Sequence, residues 1–376
     1  MPVVIGIVVH GSESDQVHEQ ARKLADSLHG SLQTDLPQFH WVFRLLIRHD
    51  FPTEQPQDPL ALLEFGSDIK IENGFDFLLV LTSAPLVARF DQAVSGVPSS
   101  MLETGVLSIA RQLDLEKPEV IQSAVLGLAR HILGHLFDLD HNDDSVMRPR
   151  EFWNDSEPLD WSDEEKKKIG AFLQDIADPR LEETAGAGKT QWKFYCQVLM
   201  RDGFSLARDI LLFRSWRMML HLGRFTAATA ISVIFLFLSA EAWELGAAIK
   251  TDWLNLVLAG VLLLSTFSLY FGQNLQAVGR SDKMMEQAVR SRIILFGTLL
   301  VGMCSFWINL FLISLAAIYL MPENVLAGWT GLGDTSLPMA HFARLMATFG
   351  ILASALGGNL EEERDLKAVL IYTEET

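Results

Sequence analysis

Hydrophobic and polar positions follow two regimes along this chain, and the change falls near residue 200. Before it, short apolar runs alternate with periodic, polar-faced segments. Val3–Val9 is a β-branched run and predicts a buried strand. Ser14 to Leu28 follows with apolar Val17, Ala21, Leu24, Ala25 and Leu28, the spacing of one helix face. Phe39–Ile47 and Phe75–Thr82 predict further strands, and residues 50–60, rich in Pro, Asp and Gln, predict a loop. Ser99–Leu113 reads as strand plus turn or as helix. Lys117 to Leu136 is a long apolar helix opened by Pro118. Ser162 and Glu165 make a capping-box start for a helix to about Ala177, which would close the domain. The order predicts an α/β (α+β) soluble domain over residues 1–178.

After residue 220 the apolar runs lengthen. Phe225 to Ala240, extendable through Ala248, is the first; Trp253 to Phe271 the second; Ile293 to Met321 the third. Crossing a bilayer takes about 20 apolar residues. The fourth, Leu337 to Leu356, contains His341 and Arg344 and reads either as a span or as an interfacial or re-entrant helix. The expectation is an all-α transmembrane helical bundle of four helices over 225–358. A linker and amphipathic arm occupy 179–224 and an acidic tail 359–376. Lys and Arg collect before the first run (Arg201, Arg208, Arg214, Arg217, Arg224) and between the second and third (Arg280, Lys283, Arg290, Arg292). By the positive-inside rule, the soluble domain and both termini are expected in the cytoplasm, at a bacterial-type inner membrane, with the lipid bilayer as partner. Glu241, Glu244, His341 and Arg344 are the ionisable groups of this region. They read as interfacial, or as pairing with one another.

Composition agrees with the division. The chain has 376 residues, net charge −17 and 49% hydrophobic residues. Up to residue 200 there are 17 Lys and Arg against 32 Asp and Glu; from 201 onward, 13 against 15. The acidic part has no basic surface to neutralise phosphates, so nucleic acid is not an expected partner. The only cysteines, Cys196 and Cys304, cannot build a disulfide framework. The N-terminus lacks a basic n-region, so a strand is expected there and not a signal peptide. AGAGKT at 185–190 imitates a phosphate loop, but Glu183 stands where that loop needs Gly.

The informative stretch is His131-Ile-Leu-Gly-His135-Leu-Phe-Asp138-Leu-Asp140-His141. His131 and His135, four apart on a helix, project their rings from one face. His141 can return to the same ion only if the helix stops and the chain turns sharply. Asp138 sits at the required turn and tolerates left-handed φ better than most residues. Three His ligands leave a fourth position for water, as in catalytic zinc sites.

This His pattern, followed by Val146-Met147, resembles the metzincin zinc peptidases, and within them the archaemetzincins. The resemblance covers about residues 1–170. It implies a metzincin-like fold, zinc held by His131, His135 and His141, and Met147 in the Met-turn beneath the ligands. Two departures matter. Ile132 stands where the family has its general-base Glu, and Asp138 where it has the turn Gly. The family's second-zinc cysteines are also absent; Asn142 and Ser145 occupy that region. A general base is typically worth about 10²–10⁴-fold. Asp138, Asp140, Asp143, Asp144, Glu103 and Glu64 are the candidate substitutes. The reading that follows is a membrane-anchored, zinc-binding, pseudoprotease-like protein. Its role would be to bind or sense, with a peptide or protein as possible ligand. The alternatives are an active membrane-bound peptidase using a substitute base, and a channel-like or effector bundle with the head as scaffold.

Overall fold

The computed structural model describes residues 2–52, 57–87, 93–113, 117–149, 160–176, 223–277, 286–322, 339–358 and 363–372, with scattered positions from 115 to 329. The phosphate-loop imitation at 185–190, the 178–189 linker and nearly all of the amphipathic arm lie outside the described residues. The chain divides into two compact units. The first takes in Met1–Arg201, Val278–Ser291 and Leu370–Thr376; the second takes in Asp202–Ala277 and Arg292–Val369.

In the first unit the apolar runs form a five-stranded sheet. Its strands are β1 (Pro2–His10), β2 (His40–Arg48), β3 (Phe77–Thr82), β6 (Gly96–Ser99) and β7 (Thr104–Ser108); β4 (Leu86–Val87) and β5 (Ala93–Val94) pair separately. The order is β2-β1-β3-β7-β6. β1 pairs in parallel with β2 and β3, and β3 with β7, while β6 runs antiparallel at the edge. Parallel central strands are covered on both faces, which is why β3 is buried at all its positions.

Strand alternation sorts β3 between two layers. Phe77, Leu79 and Leu81 join a core with Val17, Leu24 and Leu28 of α1 (Asp15–Asp35) and Leu128, Ile132 and Leu133 of α3 (Pro118–Leu136). Leu78 and Val80 face α2 (Pro59–Asn73), where a Cβ on Gly66 would meet both side chains within about 3 Å. Ile169 and Leu173 of α4 (Asp163–Ile176) complete the α1/α3 layer.

Helix α2 falls outside the sequence reading, which has residues 50–60 as loop and nothing beyond. Its buried residues, Leu60, Leu62, Leu63, Ile69, Lys70 and Ile71 among them, spread around the helix and leave no single apolar stripe. The start and stop signals are nonetheless present. Asp58 caps it by accepting from the Leu60 N–H (3.0 Å), Pro59 opens it, and Gly74 ends it at φ 66°. Ser99–Leu113 resolves as the end of β6, a turn, and β7. Ser162 and Glu165 make the reciprocal capping bonds expected of them.

The second unit is helical. α5 (Gly223–Leu238) and α6 (Ala240–Ala248) replace the straight first run through Ala248: the chain bends by 79° at Ser239, whose Oγ accepts from the Ala242 N–H and restarts the helix. α7 (Thr251–Gly272) is long and apolar enough to cross a membrane, and so is α8 (Glu286–Leu320) over Val289–Leu320. The bent pair counts as a third such segment if it is one span. α9 (Met339–Gly358) has a shorter apolar stretch, Met339–Ala353, so among the described residues the expected four full-length spans reduce to two or three.

α9 is nevertheless central to this unit. It packs against α5, α6 and α7, with Phe342, Ala343, Met346, Ala347 and Ile351 buried. Trp243 of α6 lies against Phe342, where Gly246 leaves room for the ring. The expected pairing of Arg344 and His341 with Glu241 and Glu244 is not among the ion pairs of the described residues. Arg344 Nη1 donates to Asn255 Oδ1 (3.0 Å), Glu241 accepts from Ser239 Oγ (2.8 Å), His341 meets the Phe342 ring edge-on, and Glu244 is exposed. Outward-facing Ile234, Phe235, Leu264, Ile308, Leu312 and Ile313 give these helices an apolar exterior.

Candidate metal centre

α3 carries the first two imidazoles and its end delivers the third. The helix closes in a double-bonded cap: the Asp138 N–H donates to the His135 carbonyl (3.1 Å) and the Leu139 N–H to the Gly134 carbonyl (3.0 Å). This geometry needs a left-handed residue, and Asp138 supplies it at φ 64°. A side chain other than Gly, Asn or Asp is disfavoured there by roughly 1–2 kcal/mol. Asp138→Ala is therefore expected to cost about 1 kcal/mol and Asp138→Gly to cost nothing, read as unfolding midpoints of the full-length protein in denaturant.

The turn sends the chain back so that His141 meets His131 and His135. The ring centroids are 4.7, 5.3 and 4.8 Å apart, and one ligand atom from each ring lies within 4.8 Å of the others. His131 and His135 are buried, and His141 is half-buried. His131 Nδ1 donates to the Val146 carbonyl (2.9 Å) and His135 Nδ1 to the Leu139 carbonyl (3.0 Å). Those bonds fix the tautomers, so both Nε2 atoms, 3.1 Å apart, present lone pairs to one point. Three imidazoles can hold a metal ion there, and this donor set suits zinc.

Burial, and next the neighbouring His141, push the His135 imidazolium down to about 4, outweighing the raising effects of the Leu139 hydrogen bond and Asp140. His135 is thus neutral at pH 7 and free of the proton that would block a metal. The folded pKa lies below the unfolded value of 6.5, so the unfolded chain binds the extra proton between those pH values. The chelated protein is expected to lose stability as pH falls from 6.5 toward 4 and to hold full stability above 6.5. Denaturant unfolding at pH 7.5 and pH 5 checks this.

Met147 lies beneath the helix. It is fully buried, and a Cβ on Gly134 would meet its Sδ. The side chain fills the hollow that Gly134 leaves between the two ligating turns. Beside the site, Arg130 Nη1 donates to Ser31 Oγ and Asp160 Oδ1, and Nη2 to Asp35 Oδ2, with Trp161 under the guanidinium at 4.6 Å. The Asp160 carbonyl accepts from the Val146 N–H, so this network backs the segment that orients His131.

The candidate bases fare differently. Glu64 rides on α2, across the sheet from α3. Glu103, at φ 50° in the β6–β7 turn, pairs with Lys70 of α2 (2.5 Å) and is drawn toward that same face. Asp138, Asp140, Asp143 and Asp144 are exposed. Among the described residues no carboxylate joins the three imidazoles within 4.8 Å. Ile132 is fully buried, and its Cγ2 and Cδ1 seat in hollows left by Gly105 of β7 and Gly96 of β6.

Sequence reasoning missed the reach of Glu165. Its Oε1 accepts from Asn142 Nδ2 (2.9 Å) and Ser145 Oγ (2.8 Å), while Oε2 accepts from the Ser162 N–H (2.6 Å). Burial acts to raise this carboxyl, but the hydrogen bonds from Ser162, Asn142 and Ser145 outweigh it and hold it below the ordinary value.

No family model and no characterised protein sequence matches the chain. Solved structures do. The archaemetzincin of Methanopyrus kandleri aligns at 21% identity over 46% of this chain and 96% of its own, with a TM-score of 0.37. The archaemetzincin of Archaeoglobus fulgidus, complexed with malonate, aligns at 18% identity over 44% of this chain and 99% of its own, TM-score 0.35. A zinc-dependent peptidase of Methanocorpusculum labreanum aligns at 16% over 44% and 99%, TM-score 0.34.

Proposed function

We propose that this chain is a membrane-anchored, zinc-binding protein with a peptidase-like head that binds or senses without hydrolysing peptides. One observation carries the reading. Three imidazoles converge on a point, while the neighbouring position on α3 holds Ile132, packed into the sheet. When bound, zinc would supply a Lewis acid and an acidified water. Ile132 cannot take a proton from that water, and among the described residues no carboxylate joins the three imidazoles within 4.8 Å. The head would then use its metal to fix the His131–Met147 loop, or to present an open coordination position to a ligand.

The bilayer role has separate support. One compact unit draws on the N-terminal domain, a segment ending at Ser291, and the C-terminal residues from Leu370. Tyr372 Oη donates to Asp58 Oδ1 (3.4 Å), which ties the tail to the α2 cap. A water-soluble unit lies on one face of a membrane. On this reading the chain would cross an even number of times between Arg201 and Val278, and again between Ser291 and Leu370. The bent α5–α6 pair, α7 and α8 are the segments long and apolar enough, and the shorter α9 would have to supply the fourth crossing. This agrees with the clustering of Lys and Arg and with a cytoplasmic head and tail.

The test is an unbiased peptide library incubated with zinc-loaded full-length protein and read by mass spectrometry. The expected result is no cleavage above a chelated control. Cleavage that disappears in chelator and in His135→Ala would overturn the proposal in favour of a working peptidase.

A further inference from the structure

We propose that Glu165 is a positioning residue of the metal centre: a buried carboxylate on α4 that holds the loop carrying the third imidazole in ligating register. The inference rests on the zinc-binding reading above. Glu165 is 6% exposed and lies in the first turn of α4. A helix cap needs only one of its oxygens, the Oε2 that accepts from the Ser162 N–H. The other oxygen reaches back more than a dozen residues to Asn142 and Ser145 and accepts from both.

Those two donors tie together the loop from Asn142 to Met147. Asn142 follows His141 directly, so fixing its amide fixes the backbone from which the third imidazole projects. The Asn142 N–H donates to the Met147 carbonyl (3.2 Å), and Asn142 Oδ1 accepts from the Asp144 N–H (3.2 Å). Ser145 Oγ accepts from the Met147 N–H (3.1 Å) while donating to Glu165. Between them lies Val146, whose carbonyl sets the His131 tautomer. One carboxylate thus braces three features: the third ligand, the carbonyl partner of the first, and the methionine under the helix.

The charge and the doubled acceptor are both needed. Glutamine has a single acceptor oxygen, so its amide nitrogen would face either the loop donors Asn142 and Ser145 or the Ser162 N–H, donor against donor, and one set of contacts is lost. Bonds to a carboxylate are also about twice as strong as neutral ones. Groups that orient metal ligands at one remove typically contribute about ten- to a hundredfold in affinity.

The experiment measures zinc affinity of the full-length protein in detergent, by competition with a chromophoric chelator, with the visible spectrum of the cobalt(II)-loaded protein alongside. Glu165→Gln is expected to weaken zinc by about ten- to a hundredfold and to shift the cobalt bands. Ser162→Ala, which removes the cap contacts of Ser162 Oγ with Glu165 but leaves the bonds from Asn142, Ser145 and the Ser162 N–H in place, is expected to lower the thermal midpoint and leave affinity and spectrum unchanged. Should Glu165→Gln fail to fold, Asn142→Ala and Ser145→Ala each remove one donor to Oε1 and are expected to weaken zinc to a smaller degree. Unchanged affinity in all three loop-contact variants, or an equal loss in Ser162→Ala, would overturn the proposal. Absence of zinc and cobalt binding by the unaltered protein would instead overturn the metal reading itself, and this inference with it.

Discussion

His135→Ala is expected to abolish the stabilisation that zinc gives the full-length protein. A ligand that binds only the folded state stabilises it by RT ln(1 + [L]/Kd), about 2.7 kcal/mol at a hundredfold excess over Kd. The unaltered protein should show a rise in thermal midpoint on adding zinc and lose it on chelation. His135 is the sharpest place to remove a ligand. It is buried, its Nδ1 is held by the Leu139 carbonyl, and its Nε2 stands 3.1 Å from that of His131. Alanine leaves the α3 backbone intact but removes one of three donors. The variant's midpoint should not respond to zinc. The same response in His135→Ala as in the unaltered protein would mean that zinc acts elsewhere. Glu19→Gln is the control: an exposed residue of α1, paired with Lys23, whose loss should leave the response in place.

Ile132→Ala carries the second large effect, and it is one of stability. Ile132 lies on the turn between the two helical ligands and is fully buried among residues of α1, α3 and the sheet. Its side chain occupies the space that Gly96 and Gly105 leave over β6 and β7. Truncating a buried Ile to Ala costs about 2–5 kcal/mol, through lost burial and the cavity left behind. Two facing glycines have no side chains with which to close that cavity, so the upper part of the range is expected. Denaturant unfolding of the chelated protein measures it. Zinc affinity should change little, because neither Nδ1 anchor involves Ile132. A loss below about 1 kcal/mol would be far under the range for such a truncation and would contradict the packing role.

The legible parts of the sequence were those governed by local rules. The three imidazoles could be placed because helical spacing aligns His131 with His135, and because Asp138 marks a left-handed stop before His141. The capping pair Ser162 and Glu165 was readable for the same reason. Helix α2 was not, since its apolar residues surround it and show no stripe, although Asp58, Pro59 and Gly74 bracket it. Glu165 looked like a cap alone, because its bonds to Asn142 and Ser145 depend on tertiary folding. Glu103 looked available as a base until Lys70, buried on the far face of the sheet, was seen to hold it. The 79° break at Ser239 is a cap signal inside an apolar run, and hydropathy averages over it. α9 looked weak by composition, yet it is buried by three neighbouring helices, which no one-dimensional pattern records.

The most direct test is the zinc-edge X-ray absorption spectrum of the full-length protein, purified and dialysed against buffer containing no chelator. The account predicts retained zinc with three imidazole nitrogens at about 2.0–2.1 Å and one further light-atom ligand. Retained zinc bound by fewer than three imidazoles, or no retained zinc, would contradict it.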